Sequence, residues 1–225
     1  MRSWFIYVLV GTLIFAGGCT TKKEVERKEW PETPAFQDED TRKMLDSTEE
    51  VQDGYYLYTS KTGGYSMLWP VDAIKQSYQN NGNAFEKVIF SGSNAKENYI
   101  YDVYTTFDNS SPESYIDIFL SNLSSTLEYN GDYKEIRDDN KSIYLAKKKT
   151  PIKTSDEREY LVYSYFSYIR DNKTEQGFEY IYSIGCYEDA NVRDCAIDEN
   201  KEEERALMLM KTVNFNIVNS EDERE

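Results

Sequence analysis

The chain has 225 residues and, with 26 Lys and Arg against 41 Asp and Glu, a formal charge of −15; that balance argues against nucleic acid, whose phosphates call for Lys and Arg, and against a polybasic face that hugs anionic lipid. There is no histidine, which removes Ser-His-Asp and Cys-His catalysis, histidine-bound zinc and the commonest general base near neutral pH. A length near 200 permits one domain plus a tail, and 20 Tyr with 10 Phe can supply an aromatic core where aliphatic residues are few.

Arg2 gives a minimal basic start, and Trp4 to Ala16 is a run of thirteen residues without charge. A basic start, a short apolar core and a small-residue cleavage site make an export signal. Trp4 to Gly18 is fifteen residues, short of the roughly 20 that a membrane-crossing helix needs. Leu13-Ile14-Phe15-Ala16-Gly17-Gly18-Cys19 resembles the lipobox of bacterial lipoproteins, with Ala16 in place of the leucine commonest three places before the cysteine. The resemblance implies cleavage between Gly18 and Cys19 and a diacylglyceryl group on the Cys19 thiol. Burial of about 0.8 kcal/mol per methylene makes two acyl chains a stable anchor where one is marginal. The mature chain would lie at the extracytoplasmic face of the cell membrane. It loses Arg2 and no acidic residue, leaving 25 basic and 41 acidic residues, a formal charge of −16.

Thr20 to Asp53 reads as a tether, rich in charge, with Pro31 and Pro34 and few apolar residues. Such a composition buries too little surface to offset ordering entropy. Thr41 to Val51 offers a short helix through Met44 and Leu45, and Trp30 and Phe36 are either docked or exposed. The folded body then starts at Gly54. Tyr55 to Thr59 and Tyr65 to Trp69 flank Lys61-Thr62-Gly63-Gly64, which predicts a hairpin. Val71 to Tyr78 reads as a short helix or a loop, and Asn80-Asn81-Gly82-Asn83 as a break. Phe85 to Phe90 and Asn98 to Phe107 are strands, the second with Tyr99, Tyr101, Val103, Thr105 and Phe107 on one face.

Ser111 as N-cap and Pro112 at the first helical position start a helix, whose stripe is Ile116, Phe119, Leu120, Leu123 and Leu127. Asn130-Gly131 ends it. Tyr133 to Arg137 and Ser142 to Ala146 predict a hairpin, and Lys147-Lys148-Lys149 with Pro151 a basic loop. Glu159 to Ile169 and Gly177 to Cys186 are long strands. Asn200 to Val213 is a second helix, with Glu202, Glu203 and Glu204 in its first turn, where the dipole favours them, and Leu207, Met210 and Val213 toward the sheet. Residues 219–225 form a polar tail. The expected fold is therefore α+β, a mostly antiparallel sheet packed by two main helices. Its parts are a signal (1–18), a lipidated tether (19–53), one domain (54–218) and the tail.

Export leaves Cys186 and Cys195 as an even remainder, which predicts a disulfide. Closing so short a loop would stabilise by somewhat under ~3 kcal/mol. The spacing is not that of a redox C-x-x-C pair.

A strand, then Ser60-Lys61-Thr62-Gly63-Gly64-Tyr65, then a strand ending in Trp69-Pro70, resembles the opening of PsbP/Mog1-like domains. The later helix, long hairpin and C-terminal helix follow in a compatible order. Pro34-Ala35-Phe36-Gln37-Asp38-Glu39, Gly54-Tyr55-Tyr56-Leu57, Tyr144 to Lys149, Tyr163-Ser164-Tyr165-Phe166 and Gly185-Cys186 are similar to the YvcA-type lipoproteins of bacilli. That resemblance implies a membrane-anchored surface protein without an assigned reaction. PsbP-like relatives act as assembly or accessory factors.

Ser93-x-x-Lys96 and Lys61-Thr62-Gly63 match elements of the penicillin-recognising serine enzymes, but in the wrong order. Glu188, Asp189, Asn191, Asp194, Asp198 and Asn200 supply oxygen ligands without the order or central glycine of a calcium loop. No cofactor is expected. The composition and motifs point to a lipid-anchored, non-enzymatic protein whose partner is an envelope protein or polymer. The alternatives are a carboxylate-dependent hydrolase of envelope polymer and a substrate-binding lipoprotein of a transporter.

Overall fold

The computed structural model describes residues 30–153, 159–186 and 197–216. It opens with a strap. Pro34, whose fixed φ suits a first helical position, starts α1 (Pro34–Gln37). Asp38 ends that turn and caps α2 (Glu39–Arg42), its Oδ1 accepting from the Thr41 N–H at 2.7 Å. The strap is docked. Ala35 is 0 % and Phe36 2 % exposed, the Ala35 N–H donates to the Val71 carbonyl at 3.1 Å, and the Phe36 ring meets Tyr56 edge-on at 4.7 Å. The folded body thus begins near Thr33 rather than at Gly54, and the helix expected over Thr41–Val51 does not form: only Thr41 and Arg42 fall in α2, and Leu45 instead bridges to Tyr58. Few apolar residues suffice, because Ala35, Phe36 and Met44 are all buried.

β1 (Tyr55–Thr59) and β2 (Tyr65–Pro70) form the expected hairpin. Gly63 has φ of +72°, a left-handed conformation that favours glycine. Gly64 serves differently: a Cβ there would lie 2.3 Å from the Phe107 ring, which rides directly over the turn. β3 (Ile74–Asn81), β4 (Phe85–Asn94) and β5 (Tyr99–Asp108) follow. β3 replaces the helix or loop expected there. Its residues are mostly exposed, so no apolar alternation marks it, and pairing with β4 decides its conformation. β4 also runs on past Phe90, the expected end of that strand, to Asn94.

After a 3-10 turn at Glu113–Tyr115 comes α3 (Ile116–Thr126). Ser111 does not cap it: its N–H donates to the Glu175 carbonyl, and the side chain is buried. β6 (Lys134–Arg137), β7 (Lys141–Lys153), β8 (Glu159–Asp171) and β9 (Gly177–Cys186) lead to α4 (Glu199–Thr212) and β10 (Asn214–Phe215). The expected basic loop is the middle of β7. There Lys147 and Lys149 pair with Glu203 and Glu199 of α4, each at 2.6 Å. Lys148, pointing to the other face, donates to the Leu127 carbonyl at the end of α3 at 2.7 Å. Pro151 is tolerated because β6 reaches only Leu145, leaving that side of β7 as an edge.

All pairings are antiparallel, in two sheets ordered β1-β2-β10 and β3-β4-β5-β9-β8-β7-β6. Strand outweighs helix, so the body is more β than the α+β expected, although the two main helices are present. The alternation legible in β5 and β9 is realised: Tyr99, Tyr101, Val103, Phe107, Phe178, Tyr180, Tyr182 and Ile184 join one core with the small sheet, the strap and α4. The other face of the large sheet carries a second cluster under α3, where Leu123 meets Phe166 and the Phe119 ring stacks on Tyr168 at 4.9 Å.

Truncating Phe36 empties a core position, and Phe→Ala changes of this kind cost about 3–5 kcal/mol. Phe36→Ala should therefore lower the urea midpoint and expose residues 33–45 to protease. An unchanged midpoint would show that the strap lies outside the cooperative unit.

Candidate functional site

Two acidic side chains are buried in the aromatic interior, and each is surrounded by phenols. Asp198 caps α4, its Oδ1 accepting from the N–H groups of Asn200 and Lys201. One turn on, Glu202 is 1 % exposed. It accepts from the Tyr99 hydroxyl at 3.0 Å and the Tyr182 hydroxyl at 2.7 Å. Arg205 lies 3.9 Å from Glu202 and 3.8 Å from Asp72, with its guanidinium 4.6 Å from the Tyr101 ring centroid. Asp72 accepts from the Tyr101 hydroxyl at 2.7 Å. The inward stripe of α4 is thus Glu202, Ala206, Leu209 and Met210, with Val213 following; Leu207 lies beside the stripe. The second carboxylate, Glu86, accepts from the Lys61 N–H at 3.0 Å and the Tyr78 hydroxyl at 2.9 Å. Burial raises the pKa values of Tyr58 and Tyr65, and Glu86 beside them adds to the effect. The Ser60–Tyr65 turn is therefore a lid over a buried carboxylate.

A cleft of about 420 Å³ opens between the β6–β7 turn, the β8–β9 turn, the end of α4 and β10. Ile136, Ile143 and Phe215 give it an apolar floor, while Asp138, Lys173 and Lys211 stand at its rim. Lys141 reaches across it and donates to the carbonyls of Lys211 and Val213 at the end of α4, where the helix dipole is negative. Burial lowers the Lys141 pKa, partly offset by Asp138. Backbone N–H groups of Lys141 and Asn140 hold Asp138 below the usual carboxylate range. An apolar floor with both signs of charge at the rim suits a segment of mixed character, such as a peptide.

Gly18, Cys19 and Cys195 lie outside the described residues, as do Glu188, Asp189, Asn191 and Asp194. Cys186 ends β9, opposite Tyr99. Among the described residues, no group of three or more Asp, Glu or Cys is arranged to hold a metal ion. No described helix is long and apolar enough to cross a membrane. The two serine-enzyme fragments are not brought together. Lys61 meets β4 at Glu86, and Ser93 stands seven residues further along that strand, roughly 23 Å away. Sequence reasoning missed Glu86 and the cleft. The sequence places Glu202 in the first turn of the helix on dipole grounds alone; its spacing of four from the buried Ala206 is the signal for its burial.

The chain belongs to a family of lipoproteins. The family is the one described as "Putative lipoprotein YvcA", matched over residues 31–214, so the match takes in the docked strap. The chain is also 31 % identical over 201 residues to the "Putative lipoprotein YvcA" of Bacillus subtilis (strain 168), an alignment covering 86 % of this chain and 81 % of that protein. No solved structure matches the chain.

Removing one member of a buried charged cluster costs about 3–5 kcal/mol. Glu202→Ala should therefore destabilise far more than Glu203→Ala in urea unfolding. Asp138 has a depressed folded pKa, so its contribution is present above the unfolded value near 3.9 and is lost as pH falls through the folded one. Asp138→Asn should narrow the gap in stability between pH 7 and pH 3 relative to the unaltered protein. Equal slopes for the two would remove Asp138 from the acid response.

Proposed function

We propose that the protein is a lipid-anchored envelope protein on the extracytoplasmic face of the cell membrane, and that its folded body binds or assists another surface component without catalysing a reaction. Membership of a lipoprotein family supports the anchor, together with the Leu13–Cys19 stretch. The observation that carries the binding reading is the cleft beside α4, which combines an apolar floor with charged groups at its rim. The order of elements supports a PsbP/Mog1-like sandwich, and a Cys186–Cys195 bond is part of the proposal, since both cysteines would sit in an oxidising compartment.

Cys19→Ala should lose fatty-acid labelling and leave the membrane fraction; retention of both would overturn the anchor. A photo-crosslinking residue at Lys211, on the cleft, should trap a recurrent envelope component on intact cells. The same residue at Asn122, on the outer side of α3, should not. Absence of any adduct from Lys211 would count against the binding role.

A further inference from the structure

The strap changes how far the body can stand from its anchor. With the tether running to Asp53, 34 residues would separate Cys19 from the body. With Phe36 and Ala35 seated in the core, only eleven steps separate Cys19 from Trp30. Fully extended, that length spans at most about 40 Å, and as a coil about 18 Å. A body of this size is about 40 Å across, so a coil of eleven residues is shorter than its diameter.

Trp30 marks the end of the body from which this short leash runs. It is 42 % exposed, yet it is ordered by its neighbours: its ring stacks on Phe36 at 6.0 Å and the Arg42 guanidinium lies 4.9 Å from its centroid. An indole with an apolar body and a polar N–H favours the headgroup region of a bilayer. Charge points the same way. Residues 20–43 carry six basic and seven acidic side chains, close to neutral, whereas residues 44–225 carry 19 against 34. An anionic surface repels the second set far more than the first.

Resting on the lipid-anchor reading, we infer that the mature protein sits with Trp30 and the adjoining strap at the headgroup level of the bilayer, its acidic body directed away. The partner of this surface is the lipid bilayer that holds the anchor.

The mature chain has two tryptophans, Trp30 and the fully buried Trp69, so emission separates the two sites. The lipidated full-length protein is reconstituted in phosphatidylethanolamine–phosphatidylglycerol vesicles whose acyl chains are brominated near the headgroup. Emission should be quenched in the unaltered protein, and Trp30→Phe should leave only the unquenched Trp69 signal. A twenty-residue Gly/Ser insertion after Lys28 should cut the quenching at least about twofold, because it lengthens the coil span of the leash from about 18 Å to about 31 Å. Unquenched Trp30 in protein that floats with the vesicles overturns this inference and leaves the anchor standing. Protein that does not float overturns the anchor reading, and the inference with it. Quenching untouched by the insertion overturns the short leash as its cause.

Discussion

A core built from phenols must contain its own acceptors. Burying a tyrosine removes its hydroxyl from water, and the loss is large unless another group takes the proton. Between the two sheets this chain packs Tyr56, Tyr58, Tyr65, Tyr99, Tyr101, Tyr180 and Tyr182, none more than 2 % exposed. Four of the seven find partners, which arrive from several elements, while the Tyr58, Tyr65 and Tyr180 hydroxyls are buried without one among the described residues. Glu202 comes from α4, Asp72 from the β2–β3 turn, and the Thr33 hydroxyl from the strap, 3.0 Å from the Tyr56 hydroxyl. Placement of α4 and of the strap thus follows from the demand of the aromatic layer as much as from apolar burial. Glu86 meets the same demand at the far end of the small sheet, where Tyr78 and the Lys61 backbone share its Oε1.

The helices are held by a second device. Both present their C-terminal carbonyls to lysines of a single strand: Lys148 of β7 meets the end of α3, and Lys141 meets the end of α4. Alternation along a strand sends neighbouring odd and even positions to opposite faces, so one strand can secure a layer on each side. The exposed pairs Lys147–Glu203 and Lys149–Glu199 add little stability by themselves. Their consistent direction, from β7 to the flank of α4, fixes which way that helix turns.

Much of this was legible because it is local. β5 and β9 alternate through ten residues, β1 and β2 flank a turn with glycine where φ is positive, and the apolar stripe of α3 has helical spacing. What escaped is non-local. β3 has almost no apolar alternation, and only β4 beside it makes it a strand. The strap reads as a charged linker, because its few buried residues are anchored by groups far along the chain: Val71 for Ala35, and Lys75, whose N–H donates to the Thr41 hydroxyl at 2.8 Å. Three consecutive lysines suggest a basic loop, yet they lie in β7 and their charges reach two helices. The cleft could not be read at all, since turns at Asp138 and Thr174 meet the end of α4 only in three dimensions.

The order of the strands also sets a length. The strap touches β1 and β3, which begin the two sheets, whereas the cleft is lined by β6 and β10, which end them, and by β7 next to β6. Six strand spacings separate β3 from β6, about 29 Å at the usual interval. Because every intermediate strand is paired on both sides, this span is as stiff as the sheet. The large sheet is a ruler, and whatever enters the cleft meets the protein a fixed distance from the edge where the chain departs for Cys19.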